Sequence, residues 1–223
     1  MKISAFKSLA IVALAAAPML ASAQLSANVS INSSYKFRGQ DQTANKPALQ
    51  GGFDYAHSSG AYVGIWNSNV NWLPGNSLET DIYGGYKGEV AGVGYDVGFL
   101  RYMYPGAGMA NTNEIYAGVS FAGFGAKYYR TVSDMYFGGS KAGYLSLSYS
   151  MEVAKGLTAS VGVGFTDFKN GTDYTDYTDY SVGLGYDLGD GYSVKGALVG
   201  ANKKDVYGDI NKNRLVVTFA KAM

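Results

Sequence analysis

The sequence of 223 residues contains no cysteine, one histidine and only four prolines. Without cysteine, neither a disulfide framework nor a thiolate metal site can form. Acidic and basic side chains number 17 and 18, so the chain lacks the basic field that holds nucleic acid. After residue 23, no run approaches the about 18 unbroken apolar residues that a transmembrane helix needs. These absences exclude a disulfide scaffold, a nucleic-acid-binding domain and a helical membrane protein.

Residues 1–23 have the pattern of a cleaved secretory signal peptide. Lys2 and Lys7 form a basic start, residues 9–20 are apolar, and Ala21-Ser22-Ala23 matches an A-x-A cleavage site. A membrane anchor is the alternative, but the apolar run is too short to span comfortably and no basic stop follows it. We therefore predict cleavage after Ala23 and a single domain over residues 24–223.

The mature part is rich in glycine and tyrosine, with 31 and 20 in the whole chain, and its apolar residues recur at every second position. In residues 25–38, Leu25, Val29 and Ile31 share one parity with Tyr35 and Phe37, whereas serine, asparagine, lysine and arginine occupy the other. Ser33 is the only lapse in this alternation, because a polar residue occupies an apolar position there. A period of two is typical of a β-strand with one apolar and one polar face. The pattern recurs along the chain and predicts about twelve strands.

The connections between these strands alternate strictly between long and short. Short links are predicted at 57–60, 87–89, 122–123, 154–156 and 189–191; long ones lie at 39–46, 68–76, 105–112, 133–140, 167–175 and 202–211. Sorted connections are typical of an outer-membrane barrel, and a soluble sandwich has no reason for them. We therefore predict an all-β, transmembrane antiparallel meander β-barrel with short periplasmic turns, longer extracellular loops and both termini on the periplasmic side.

Aromatic residues cluster near the predicted strand ends, as in the two aromatic girdles of membrane barrels. The alternative is that aromatic residues simply favour strands. The candidates for the long-loop girdle are Tyr35, Phe37, Phe99 and Phe165, and Phe121, Phe124, Tyr186 and Tyr192 flank short turns.

About 35 residues from Ser34 onward resemble the N-terminal signature of the TorF family of porins, exported proteins of proteobacteria. The matching segments include Tyr35-Lys36-Phe37-Arg38-Gly39, Gln42-Thr43, Gln50-Gly51-Gly52 and Trp66-Asn67-Ser68-Asn69-Val70. The resemblance implies an outer-membrane location and a channel, and it carries no established solute or catalytic residue. Barrels of this kind usually end in phenylalanine, which the assembly machinery reads. This chain ends at Met223, which shares the outward parity of Phe219.

The polar positions of the strands carry charged residues of both signs, which we predict to face the lumen. They either guide solutes through a water-filled pore or form ion pairs that fill a closed barrel. Twelve strands lie between the filled eight-stranded barrels and the open large porins, which favours a narrow pore. The candidate pore-lining residues are Lys36, Arg38, Asp54, Glu79, Asp81, Asp96, Glu114, Lys127, Lys195 and Arg214.

Two other groups of polar residues are weak candidates for chemistry. The repeat containing Asp173, Asp176 and Asp179 could supply carboxylates to calcium, but no full ligand set is visible, and a spacing of three alternates faces in an extended chain. We interpret it as an acidic loop rim. His57 is the only histidine and falls in a predicted periplasmic turn, so a histidine base for loop-side catalysis is disfavoured.

The sequence therefore predicts a non-enzymatic, porin-like channel for passive diffusion of small hydrophilic solutes, with no cofactor and weak ion selectivity. Its expected partners are outer-membrane lipid and lipopolysaccharide, the barrel-assembly machinery acting through the C-terminal strand, and the solutes; no nucleic acid is expected. A closed structural or adhesive barrel and an outer-membrane barrel enzyme are the alternatives.

Overall fold

The computed structural model describes residues 23–169 and 174–223, whose regular secondary structure is almost entirely β. Residues 1–22, with most of the predicted signal peptide, and Asp173 lie outside the described residues. Within the described part, no helix is long and apolar enough to cross a membrane. The strands are β1 (Gln24–Asn32), β2 (Lys36–Phe37), β3 (Gln40–Asp41), β4 (Ala48–Ala56), β5 (Ala61–Asn69), β6 (Leu78–Val90), β7 (Val93–Met103), β8 (Thr112–Phe121), β9 (Phe124–Thr131), β10 (Ala142–Ala154), β11 (Leu157–Phe168), β12 (Tyr177–Gly189), β13 (Tyr192–Ala201) and β14 (Arg214–Ala222); the helices are α1 (Lys204–Tyr207) and two 3₁₀ turns, Gly108–Ala110 and Gly208–Asn211.

Twelve of the described strands close into one antiparallel barrel, in which each strand pairs with its neighbours in sequence. Only β2 and β3 stand apart, as a separate hairpin. Closure occurs where β1 pairs with both β4 and β14. There Ala27 and Met223 exchange backbone hydrogen bonds of 3.0 and 2.8 Å. The predicted closed barrel of twelve strands is confirmed, and closure leaves it without the free edges that lipid could not satisfy.

The alternating apolar side chains of every long strand point to the outer surface. Leu25 and Phe53 are 69% and 59% exposed, and comparable values recur around the barrel. Most inward residues of the same strands are buried or half-buried, with exposed ones near the strand ends. A continuous apolar belt of this extent is unfavourable in water and matches a bilayer.

Short turns join the strands at one end of the barrel, the turn end, and long loops join them at the other, the loop end. Three turns are Ala91-Gly92, Ala122-Gly123 and Asp190-Gly191, with positive φ at both residues. This is the backbone of type I′ turns, which match the twist of antiparallel strands. The predicted short link at 87–89 is wrong, because β6 continues to Val90, which pairs with Val93.

The first strand is shorter than the alternation of residues 25–38 predicts. It ends at Asn32, immediately before the lapse at Ser33. Tyr35 and Phe37 consequently do not belong to an outer girdle. They lie in the first long loop, which folds into the barrel.

Candidate functional site

Loop L1, residues 33–47, crosses the lumen at the loop end. Its two short strands, β2 and β3, form a hairpin whose tip is Arg38-Gly39, with φ of 47° and 76°. Two positive φ values define a type I′ turn, for which glycine is the favoured second residue. A Cβ on Gly39 would overlap Asp179 and Gly200, so the tip is pressed against β12 and β13.

The Arg38 side chain reaches the wall opposite β1 and forms a bidentate ion pair with Glu114 of β8. The two nitrogen–oxygen distances are 2.7 and 3.0 Å, and the side chains are 4% and 1% exposed. Burial alone would lower the pKa of Arg38, but the Glu114 carboxylate more than offsets it, and the pKa lies well above its ordinary value. The fork geometry explains why arginine suits this position better than lysine.

Aromatic rings surround the same guanidinium group. Its carbon lies 4.2 Å from the ring centre of Tyr144, 5.1 Å from that of Tyr129 and 5.7 Å from that of Tyr136. Arg38 also donates a hydrogen bond of 3.1 Å to the Tyr136 hydroxyl, and Tyr102 donates one of 3.0 Å to Glu114. We call Glu114, Tyr102, Tyr129, Tyr136 and Tyr144 the Arg38 cage. Each ring adds a cation–π attraction that is strongest where water is excluded.

A second group of rings fills the lumen above the cage. Phe137, in the loop of residues 132–141, lies at its centre, with ring centres 5.1 Å from Tyr102, 5.7 Å from Phe37 and 6.1 Å from Trp72. Tyr104 beside it is 2% exposed. The loop end of the barrel is therefore packed with protein side chains.

L1 is also fastened to the last long loop, residues 202–213. The Lys36 ammonium group donates hydrogen bonds of 2.8 and 2.9 Å to the backbone carbonyls of Ile210 and Lys212. Burial, together with the like charge of Arg214, lowers the pKa of Lys36 to about 8. Contacts on both sides of the lumen thus hold L1 inside.

Below L1, the inward side chains of β5–β9 form a wall that we call the aromatic wall. Tyr62 donates a hydrogen bond of 2.5 Å to Asp96, and the same carboxylate accepts one of 2.7 Å from Lys127. The Lys127 ammonium lies 3.9 Å from the ring centre of Tyr116. The charges of Asp96 and Lys127 are therefore neutralised by each other rather than presented to the lumen.

Inward glycines make room for these tyrosines. Tyr83 lies where a Cβ on Gly64 would be, and Tyr116 covers Gly98 in the same way. An aromatic ring lying flat over a cross-strand glycine stabilises a curved sheet. The glycines of this wall accordingly do not widen the lumen.

The opposite side of the lumen is lined by small residues and is called here the small-residue wall. Lys195 of β13 extends along it near Gly183. The three ion pairs among the described residues do not include Lys195. The small inward residues of β10–β12 on this wall include Ser146, Ser148, Ser160, Gly162, Ser181, Gly183 and Gly185.

The structure brings several predicted pore-lining residues together. Arg38 pairs with Glu114, and Lys127 pairs with Asp96. Asp54 and Glu79 accept hydrogen bonds from Tyr83 and Tyr35, of 2.5 and 3.1 Å. Lys36 contacts backbone carbonyls, and Asp81, Lys195 and Arg214 take part in none of the ion pairs of the described residues. That these residues line a solute path stays a prediction.

The described carboxylates of the acidic repeat make separate contacts. Asp176 accepts a hydrogen bond of 2.8 Å from the backbone of Phe168, and Asp179 accepts one of 3.4 Å from Tyr144 inside the barrel. Asp173 lies outside the described residues. Among residues 23–169 and 174–223, no three histidine or carboxylate side chains are grouped to hold a metal ion.

His57 lies in the turn between β4 and β5, at the turn end. Its Nδ1 is 2.9 Å from the hydroxyl of Ser59 in the same turn, and both residues are exposed. This is a local contact within a tight turn, far in the fold from the cage and the loop end.

The interior role of L1 and of the tyrosines around Arg38 was not predicted. Two sequence signals point to it: the lapse at Ser33, and the Arg38-Gly39 pair, which fits a two-residue turn. The partners of Arg38 carry no local signal, since Glu114 lies 76 positions away.

A model of the family described as "Bacterial protein of unknown function (Gcw_chp)" matches residues 15–223. The chain belongs to the Gcw_chp family. The comparison with curated proteins finds no sequence match.

Several solved structures resemble this Gcw_chp barrel in fold at very low sequence identity. A KdgM porin superposes with a TM-score of 0.62 at 9% identity, covering 88% of this chain and 98% of that one. A NanC porin gives 0.59 at 10% identity, with 89% and 98% covered. A KdgM porin in complex with disordered oligogalacturonate gives 0.57 at 8% identity, with 89% and 95% covered. The likeness establishes the barrel fold and its size.

Proposed function

We propose that the chain is a porin-like channel of the outer membrane, through which small hydrophilic solutes diffuse passively. The observation that carries this proposal is the combination of a closed twelve-stranded barrel, an apolar outer belt and a hydroxyl-lined inner wall. A barrel of this surface and polarity is built to place an aqueous interior across a bilayer. The fold shared with KdgM and NanC porins and the resemblance to the TorF family support it.

In this proposal, solutes pass along the small-residue wall of the lumen. Serines and glycines on β10–β12 carry small side chains or none and offer hydroxyl groups, whereas the aromatic wall fills its own side with tyrosine rings. L1 narrows the loop end further, so the channel is narrow. Selection by width and by lining charge is the general mechanism of such pores.

The proposed partners follow from the surface of the barrel. Lipid and lipopolysaccharide surround the apolar belt, and the assembly machinery engages β14 and Met223 directly after it, which is 66% exposed. Solutes enter the lumen, and no step in this function needs a cofactor or a catalytic group.

A closed structural or adhesive barrel is the second candidate, because the loop end is packed. Glu79, Tyr104 and Glu114 are at most 2% exposed. In this alternative, L1 would be a permanent plug, and the charges beneath it would serve stability alone.

Single-channel recording in planar bilayers tests the two candidates. The purified, refolded chain is compared with a variant called ΔL1, in which an Asn-Gly turn replaces residues 33–47. This short turn fits because Asn32 and Ala48 are paired in the β1–β4 ladder. We expect discrete current steps from the wild-type protein and larger ones from ΔL1.

No steps from either protein would contradict the channel and favour the closed barrel. Steps from ΔL1 alone would contradict passive diffusion through the wild-type barrel and favour the second candidate, in which L1 is a permanent plug. Heat-modifiable migration in gels, measured on both samples, confirms that each barrel has refolded.

A further inference from the structure

We propose that the Arg38 cage is a receptor site for a guanidinium group, which Arg38 fills when L1 is inside and a guanidinium-bearing solute fills when L1 leaves. This inference rests on the proposed function, because it names the solute class and the regulation of the same lumen. It is argued from the chemistry of the cage, from the connectivity of L1 and from the surrounding charge.

The cage meets each requirement of a guanidinium ligand. Glu114 accepts two parallel hydrogen bonds, at 2.7 and 3.0 Å, and the Tyr136 hydroxyl accepts a third, at 3.1 Å. The rings of Tyr129 and Tyr144 lie over the planar cation at 5.1 and 4.2 Å. A planar fork of donors between a carboxylate and aromatic faces is the arrangement that distinguishes guanidinium from ammonium.

Arg38 and the wall residues that bind it are carried by separate parts of the fold. Tyr102, Glu114, Tyr129 and Tyr144 belong to β7–β10, whereas Arg38 is carried on L1. L1 starts and ends at adjacent positions of the β1–β4 ladder, so it can leave without breaking a barrel strand. The cage groups on the wall would then remain in place.

The surroundings of the cage favour a cation over an anion. Glu79 and Asp81 lie in the same part of the lumen, so three buried carboxylates accompany the single guanidinium of Arg38. One oxygen of Asp81 is buried without a hydrogen-bond partner among the described residues. A region this rich in carboxyl groups attracts a cation rather than an anion.

Competition with a tethered arginine sets the expected affinities. A group held on a short loop acts at an effective concentration in the millimolar range or above, so a free guanidinium binds the wild-type protein weakly. Removing Arg38 removes this competitor. The affinity for the free ligand should then rise, because no contact of the cage itself has been lost.

The test measures binding of methylguanidinium to detergent-solubilised barrels by isothermal titration calorimetry. The variants are Arg38→Ala, ΔL1 and the double variant Arg38→Ala/Glu114→Gln. The matched control is Arg101→Ala, since Arg101 is exposed and bonded only weakly to Asn113, at 3.3 Å. Methylammonium is the control ligand.

We expect Arg38→Ala and ΔL1 to bind methylguanidinium about tenfold or more tightly than the wild type and Arg101→Ala do. The double variant should lose this gain, and methylammonium should bind all proteins weakly. Equal binding by the wild type, Arg38→Ala and ΔL1, or a gain that survives Glu114→Gln, would overturn the proposal.

Calorimetry in detergent does not depend on ion flow, so the two proposals can fail separately. A barrel that binds methylguanidinium but gives no current retains the receptor and loses the channel. A barrel that conducts but does not bind methylguanidinium retains the channel and loses the receptor. ΔL1 keeps the test decisive if Arg38→Ala does not refold, since it removes Arg38 together with the whole loop.

Discussion

Two of the cations inside the barrel are neutralised by an immediate neighbour. Arg38 is paired with Glu114 and Lys127 with Asp96, so neither cation is free to attract a passing solute. Lys195 differs, because it lies on the small-residue wall outside the ion pairs of the described residues. We therefore expect Lys195 to influence permeating ions more than the two paired cations do.

We predict that Lys195→Gln shifts the selectivity of the channel toward cations. Removing the positive charge lowers the local concentration of anions, and the potassium-to-chloride permeability ratio should rise by about twofold or more. Reversal potentials in a salt gradient measure this ratio. Lys221→Gln is the control, because Lys221 shares the outward parity of Phe219 and stacks on Tyr192, at 4.0 Å. An equal effect of both variants would argue against a role for Lys195 in the lumen.

L1 is the element that occupies the loop end of the lumen. It is held at its tip by the Arg38 cage, at Lys36 by carbonyls of the last loop, and at Phe37 by the rings around Phe137. Its tip also needs glycine for two reasons, since Gly39 has a positive φ and no space for a Cβ. The effect of steric overlap can be separated from that of backbone strain by substituting a second glycine of similar φ that has open space around it.

Gly39→Ala should displace L1 and increase single-channel conductance, whereas Gly75→Ala should not. Both glycines have nearly the same φ, 76° and 77°, so each alanine carries a similar backbone cost of about 1–2 kcal/mol. A Cβ on Gly39 would overlap β12 and β13, but one on Gly75 has no neighbour within 4 Å. Conductance histograms of the two variants provide the measurement. Unchanged conductance in Gly39→Ala would show that L1 does not control the opening.

The whole barrel has two environments that alternate along every strand. Val161, near the middle of β11, is about half exposed on the apolar belt, and its neighbour Ser160 faces the lumen. The two positions share the same strand and height. They differ in whether lipid or the interior surrounds them.

Val161→Arg should destabilise the barrel in lipid by about 2–4 kcal/mol, the cost of an arginine at the bilayer midplane. Ser160→Arg places the same charge in the polar lumen and should cost much less. Urea unfolding in lipid vesicles measures the loss of stability in both variants. Heat-modifiable migration in gels reports the folded fraction at each urea concentration. Similar losses for the two variants would be inconsistent with a membrane-spanning barrel.

The residue pattern by itself determined the twelve barrel strands, the sorting of turns and loops, and which alternate positions of these strands face outward. These properties are local, because a period of two and a short turn depend only on neighbouring residues. The lapse at Ser33 shows the limit of this reasoning, since treating it as a minor irregularity placed Tyr35 and Phe37 on the outer surface.

Only the tertiary structure decided that L1 folds inward and that the lumen has an aromatic and a small-residue side. Arg38 meets Glu114, Tyr129 and Tyr144 because barrel closure brings β8–β10 opposite β1. Which distant side chains share one height in the lumen depends on strand register around the whole barrel. No alternation of apolar and polar residues along a single strand contains that information.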